Sequence, residues 1–334
     1  MSTIVISGAS GYIGSALLSR LASEGHSVRL VSRTTGAPGI QTTGAANVET
    51  MVADLRDACA WSAPLEGADA VVHVSWRTDL RAAEADPIGD ADINVEPVRA
   101  LVRAAERTKK PPIVAFASTV TISGVNPRNP VDEQIADDPC SVYDRHKLAC
   151  EHILREATAR GALRACTLRL SNVYGFGSGA RSTNPNRGIL NAIMRQAARG
   201  EALSLYGTGE YLRDFTFIDD VIDAFCRALM SERVCDGSHY VIAKGQGRTL
   251  VQAFELVAQE AARLTGRVID IRHVPEPADL HPIERRNFVG NSSLFQKLTG
   301  WGPQFDLPKG IRDCLERIAA HAMSTSTPGK LGVI

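Results

Sequence analysis

Tyr143 and Lys147 stand four residues apart in the stretch SVYDRHKL, residues 141–148. On a helix that spacing is one turn, so the phenol and the ammonium share a face. A free phenol titrates near ~10, and a neighbouring positive charge favours its ionised form. Such a pair can take a proton from an alcohol and return it. A second set of residues suited to chemistry lies at the start of the chain. In ISGASGYIGSALLSRL, Gly8, Gly11 and Gly14 fall between an apolar run and an amphipathic one. Glycines there allow a tight turn, close approach of a pyrophosphate and close packing of helix on strand, while amides at the helix start attract the anion. This predicts a dinucleotide site, with Ser10, Tyr12 and Ile13 lining it between the glycines.

The choice of dinucleotide is written at the end of the second strand. A carboxylate there would hold a ribose 2′-hydroxyl; this chain instead has Ser32 and Arg33, a hydroxyl and a cation suited to a 2′-phosphate. NADP(H) is therefore the expected cofactor, with NAD as the alternative. Asp54 and Leu55, in VADLRD, follow the third strand and are expected at the adenine, a turn cap being the other reading of Asp54. FASTVTISG (116–124) leaves a buried strand, which puts Ser118 and Thr119 at the carboxyl end of the sheet, where open α/β folds bind ligands.

These residues need a frame, and the first half of the chain supplies one. Apolar, β-branched runs at 3–7, 27–32, 70–74, 112–118 and 165–170 alternate with helical patterns at 13–25, 93–108 and 145–161. Strands buried on both faces and separated by helices predict an α/β, doubly wound parallel sheet, a Rossmann fold, with a smaller C-terminal substrate-binding lobe. The expected division is a dinucleotide-binding domain over 1–175, a mainly substrate-binding lobe over 176–322 with some segments returning to the first domain, and a flexible tail over 323–334. The stretches 175–188 and 273–287 are crowded with turn residues and are expected to be binding loops or poorly ordered.

With 37 basic and 37 acidic side chains, no net field recruits nucleic acid or an anionic membrane. No apolar run is long enough to span a bilayer. The N-terminus enters a strand at once, without the features of a secretory signal, and the seven cysteines never form a C-x-x-C pair. A cytoplasmic protein with reduced thiols and no zinc site is expected. Asp219 and Asp220 resemble a metal pair, but no ligand cluster accompanies them, and a helix N-terminus explains them better; no metal is expected.

The glycines at 8, 11 and 14, then ASTVTISG, YDRHK, RLSNVYGFG (169–177) and YGTGEYLRDFTFIDDVIDA (206–224) follow one another in an order that resembles the extended short-chain dehydrogenases/reductases, the nucleotide-sugar epimerase/dehydratase family, from residue 3 to about 315. The resemblance implies that Tyr143 is the proton donor or acceptor, that Lys147 lowers its pKa and holds the nicotinamide ribose, and that Thr119 orients the sugar oxygen, with Val120 and Thr121 beside it as substrate contacts. It implies that Asn94 links the sheet to the nicotinamide side, a helix cap being the alternative. His73, Val74, Ser75 and Trp76, at the end of the AVVHV run and after it, are expected to line the cofactor cleft, His73 as a packed histidine rather than a catalyst. Asn172 and Arg213 would meet a nucleotide diphosphate. His281 occupies the late-loop position where the family carries a second arginine, with Arg285 and Arg286 nearby. A homodimer through the helices at 93–108 and 143–160 is implied, because both show apolar positions beyond what sheet packing needs.

The residues after Thr119 narrow the reaction. Family dehydratases follow it with an Asp–Glu pair, decarboxylases carry a Glu and 3,5-epimerases a Cys in this stretch; here stand Val120 and Thr121. What remains needs one hydride and one proton. The Ser32–Arg33 pair favours NADPH-dependent reduction of a nucleotide-linked 4-keto-sugar. The alternative is a 4-epimerase that oxidises a carbinol, lets the sugar turn and reduces it again with retained NAD. Two further readings are a reductase of a non-sugar carbonyl and a non-catalytic dinucleotide-binding sensor.

Overall fold

The computed structural model describes residues 1–33, 47–176 and 188–325. Their strands are β1 (Thr3–Ser7), β2 (Ser27–Ser32), β3 (Val48–Val52), β4 (Ala70–His73), β5 (Ile113–Thr119), β6 (Arg164–Leu170), β7 (Asn172–Tyr174), β8 (Leu203–Tyr206), β9 (Leu212–Phe217), β10 (His239–Ile242), β11 (Gly247–Thr249) and β12 (Ile271–Val274). Seven of them form one parallel sheet in the order β3-β2-β1-β4-β5-β6-β10. The central strands lie between helical layers, so Val5, Ile6, Val71, Val72, Val114 and Phe116 are all buried and the apolar runs need no alternation. Strand order reverses between β1 and β4, which opens a crevice at their carboxyl ends.

The helix that carries the opening pair runs from Val142 to Ala159 and starts earlier than its apolar pattern alone suggests. Ser141 and Asp144 form a capping box there, and each satisfies an amide of the other. Tyr143 therefore sits in the first helical turn. The helix expected at 93–108 is instead two, Pro87–Asn94 and Glu96–Ala105. Pro97 has no amide to continue the first helix, while its fixed φ suits the first turn of the second.

The C-terminal half adds a three-stranded sheet, β11-β9-β7, and a parallel pair, β12 with β8. Its strand β10 returns to the edge of the main sheet beside β6. One apolar cluster runs through both halves, from Leu17 and Leu168 to Phe254 and Cys314. Within the stretch 273–287, β12 ends at Val274 and a 3-10 turn spans Pro282–Arg285, and the rest is irregular chain as expected of a loop. Of the other turn-rich stretch, residues 177–187 lie outside the described residues, as do 326–334 of the expected tail; the helix Leu307–Thr325 covers the tail's first residues. No described helix is long and apolar enough to cross a membrane.

Part of the apolar surplus that suggested a dimer is used within the chain. Val98, Leu101, Val102, Cys150 and Leu154 are buried against the sheet and one another. The outward face of Glu96–Ala105 carries Arg99 and Arg103, both paired with Glu96.

Candidate active site

The loop after β1 is shaped by contacts that admit no side chain. Gly8 has φ +79°, and a Cβ on it would come within 2.7 Å of the Ser75 backbone. A Cβ on Gly14 would fall 2.1 Å from the Gly8 carbonyl oxygen. Gly11 closes the turn by donating its amide to that same oxygen at 2.9 Å. It caps the helix Tyr12–Ser23 with no side-chain hydrogen bond and no acidic residue in the first turn. The helix therefore presents uncapped amides to the crevice, as a pyrophosphate requires. Ser10, Tyr12, Ile13 and Val74 line this cleft of about 610 Å³ with the glycines. The Tyr12 side chain is turned inward, its hydroxyl donating to the Gly175 carbonyl at 2.6 Å.

A second cavity of about 720 Å³ continues the first past Gly8, Ser10, Arg33, Ser75 and Trp76. Ser32, Asp54 and Leu55 line it, so the residues expected around the adenosine end are together, and Asn94, expected on the nicotinamide side, lines the same cavity. Asp54 is a turn residue as well: it accepts from the Arg56 amide at 3.1 Å and from the guanidinium at 2.6 and 3.0 Å. That guanidinium holds the Asp54 carboxyl down at about 2. Asn94 is buried, with its amide on Asp90 and its oxygen accepting the Arg77 amide at 2.8 Å. It pins the chain that leaves β4, and Asp90 passes the tie to His146 at 2.8 Å. The outlines of these two cavities fit an extended dinucleotide.

At the far end of the cleft stand Ser118, Thr119, Thr121, Tyr143 and Lys147. The Lys147 ammonium is buried, donates to the Ala117 carbonyl at 2.6 Å and lies 3.6 Å from the Trp76 ring centroid. Trp76 meets Tyr143 edge to face at 6.0 Å, so one indole covers both members of the pair. The Thr119 and Thr121 hydroxyls are 2.8 Å apart, and Thr121 donates to Asp144. The Ser118 hydroxyl donates to Glu151, which is held by Arg169 at 2.7 Å. Val120 turns into a small core with Val131, Val241 and Phe288, away from the cleft where a substrate contact was expected.

The substrate end differs from expectation in three residues. Asn172 lines the cleft. Arg213 does not: its donors go to the backbone carbonyls of Leu212, Glu284 and Arg286, so it braces the turn beneath the site. His281 caps that turn, accepting the Ile283 amide at 3.2 Å, and also stands outside the cleft lining. Of the arginines near this turn, Arg286 reaches the cleft, with a guanidinium nitrogen 3.4 Å from the Asn172 oxygen. Burial pulls Arg286 down, while Glu284, Asp144 and Tyr143 hold it up. Asp144 also lines the cleft. Its capping-box spacing from Ser141 was readable; its reach to Thr121 was not.

Residues 4–243 match the NAD dependent epimerase/dehydratase family. The chain belongs to that family. Among relatives, UDP-glucose 4-epimerase of Mycolicibacterium smegmatis is 26% identical over 320 residues, covering 93% of this chain and 97% of its own. Two solved structures share the fold of this family member. UDP-glucose-4-epimerase from Stenotrophomonas maltophila, with bound NAD and formylated UDP-arabinopyranose, has a TM-score of 0.81 at 23% identity, covering 97% of this chain and 100% of that one. RMD from Pseudomonas aeruginosa, complexed with NADPH, has a TM-score of 0.78 at 21% identity, covering 96% and 100%.

His73, at the end of β4, is no proton carrier for the site. It is buried, its Nδ1 is 2.8 Å from the Ser7 hydroxyl, and it stacks on Phe116. Burial, and then the charge of Lys147, push it down to about 3. The folded state thus keeps His73 neutral where the unfolded chain binds a proton, so its contribution to stability is present above pH ~6.5 and is lost as pH falls toward ~3. Urea unfolding should show a loss of about 3 kcal/mol from this one group between pH ~7 and ~4. His73→Gln should flatten that part of the pH profile; a variant with the native slope would refute the assignment.

Proposed function

We propose that this protein is a nucleotide-sugar 4-epimerase. The observation that carries this reading is the inventory at the end of β5: one phenol beside one buried ammonium, with the Thr119 and Thr121 hydroxyls lining the same cleft. The nearby carboxylates are engaged, Asp144 by Ser141 and Thr121, and Glu284 by Arg286 at 3.6 Å. A single proton carrier supports reversible dehydrogenation of one carbinol, and it supports neither dehydration nor decarboxylation. Full-length similarity to a UDP-glucose 4-epimerase supports the same choice.

A nicotinamide dinucleotide bound along the two cavities supplies hydride acceptance and return. The chain's own residues do the rest. Tyr143 takes the hydroxyl proton and gives it back, Lys147 favours the phenolate by its charge, and Thr119 holds the reacting oxygen. Arg286 and Asn172 face the diphosphate, the forked guanidinium suiting two phosphate oxygens at once. The sugar turns in the space between, so that either face meets the same phenol.

A second reading, reduction of a keto-sugar by NADPH, is favoured by Arg33, which lies at the junction of the cavities. The two part on the cofactor. Denaturing the purified protein should release NAD that does not exchange; an empty protein that binds NADPH much more tightly than NADH would favour the reductase.

The proton assignment has its own test. On whichever of UDP-glucose, UDP-N-acetylglucosamine, UDP-glucuronate or dTDP-L-rhamnose is turned over, Tyr143→Phe should lower kcat by about 10³-fold. Full turnover by this variant would refute the role. Arg286→Lys keeps the charge but loses the fork, and should raise KM about tenfold with kcat nearly unchanged. An unaltered KM would remove Arg286 from the diphosphate site.

A further inference from the structure

Neutral groups press against the buried ammonium of Lys147. Besides the Ala117 carbonyl it meets two ring faces, Trp76 at 3.6 Å and Phe116 at 4.7 Å from the centroids. A ring face attracts a cation through its quadrupole and carries no charge of its own. A carboxylate in that seat would cancel the field of the ammonium at the phenol; an indole holds the ammonium and leaves the field intact. The carboxylates around this helix are engaged by other groups: Glu151 by Arg169 and Ser118, Asp144 by Ser141 and Thr121, Asp90 by Arg77 and His146. Burial pushes the neighbouring Cys150 thiol up to about 12 and His73 down to about 3, so both are neutral. Arg286 acts on Tyr143 from the late turn. No hydrogen bond places the indole, because its Nε1 is buried without an acceptor among the described residues. That unpaired donor costs stability, and a phenyl ring would fill much of the same space without it. What recommends an indole here is its face, the strongest of the aromatic side chains for a cation.

We propose that Trp76 is a positioning residue for proton transfer: its indole seats the Lys147 ammonium away from water, so that the charge acts on the Tyr143 phenol undiminished. The inference rests on Tyr143 as the proton carrier and holds for the epimerase and the reductase readings alike. The same indole meets the Tyr143 ring edge to face, which fixes the spacing of phenol and ammonium from one side. Trp76 also lines both cavities, at their junction. It therefore stands as a wall between the cofactor cleft and the helix that carries the pair.

Trp76→Leu opens a space beside the ammonium that water can enter, and water screens the charge. The phenol then ionises less readily. With a sugar that the native protein turns over, the pH at which kcat reaches half its plateau should rise by about one pH unit, with KM for the sugar nearly unchanged. Trp76→Phe keeps a ring face and drops the unpaired N–H, and should return most of that shift. A second measurement needs no substrate. Urea unfolding of Trp76→Leu, Lys147→Met and the double variant, with the same dinucleotide in excess, should give losses that do not add. Removing the indole should cost about tenfold more in the unfolding equilibrium constant when Lys147 is present than when it is replaced. Trp76→Met, nearer in bulk, carries both tests if the leucine variant does not fold. Additive losses, or a native pH midpoint in a folded variant, would overturn the proposal and leave the proton assignment standing. Full turnover by Tyr143→Phe would remove the proton carrier itself, and this inference with it.

Discussion

A buried ammonium needs a partner, and the way Lys147 finds its partners fixes much else in this protein. Left without them, the charge would be expelled or neutralised. Its bond to the Ala117 carbonyl ties the helix Val142–Ala159 to the last residues of β5 at one register. Its seat on Trp76 ties the same helix to the chain leaving β4. Those two strand ends also carry Thr119 and the Ser75 backbone that abuts Gly8. The phenol, the hydroxyl and the glycine loop are therefore positioned against one charge.

A second buried charge pair steadies the next turn of that helix. Glu151 lies one turn beyond Lys147, and its carboxylate receives two nitrogens of Arg169 from β6 together with the Ser118 hydroxyl. Removing one member of such a pair leaves the other charge stranded, which gives the arrangement its rigidity. Ser118 is thereby committed to structure, and Thr119 next to it is left for the cleft. Alternation along β5 sends the two hydroxyls to different partners.

Local chemistry made the fold legible. The strands β1 and β2 begin and end where their apolar runs do, because strands buried on both faces leave unbroken apolar text. The glycine loop was legible because each glycine answers a steric demand within a few residues of itself. Tyr143, Lys147 and Thr119 meet because strand and helix periods carry them there. Arg213 and Arg286 show where this kind of reading ends. Both are arginines near the same turn, and only the path of residues 282–286 decides which one faces the cleft and which is engaged by backbone carbonyls. That path is set by contacts between distant segments, such as the Asn287 bond to Leu212, and no local pattern encodes it. Val120 failed similarly, since its neighbours Val131 and Phe288 come from remote loops.

The apolar cluster that joins Leu17 and Leu168 to Phe254 and Cys314 crosses from one half of the chain to the other. Halves joined through a shared core of this kind do not swing on a hinge, because opening them would expose apolar surface along the whole joint. A shared core also couples their unfolding. The dinucleotide cavities draw mainly on the first half and the Arg286 turn belongs to the second, yet both depend on one cooperative unit. A ligand that grips either end therefore steadies the other end against unfolding by mass action alone, with no signal passing between them.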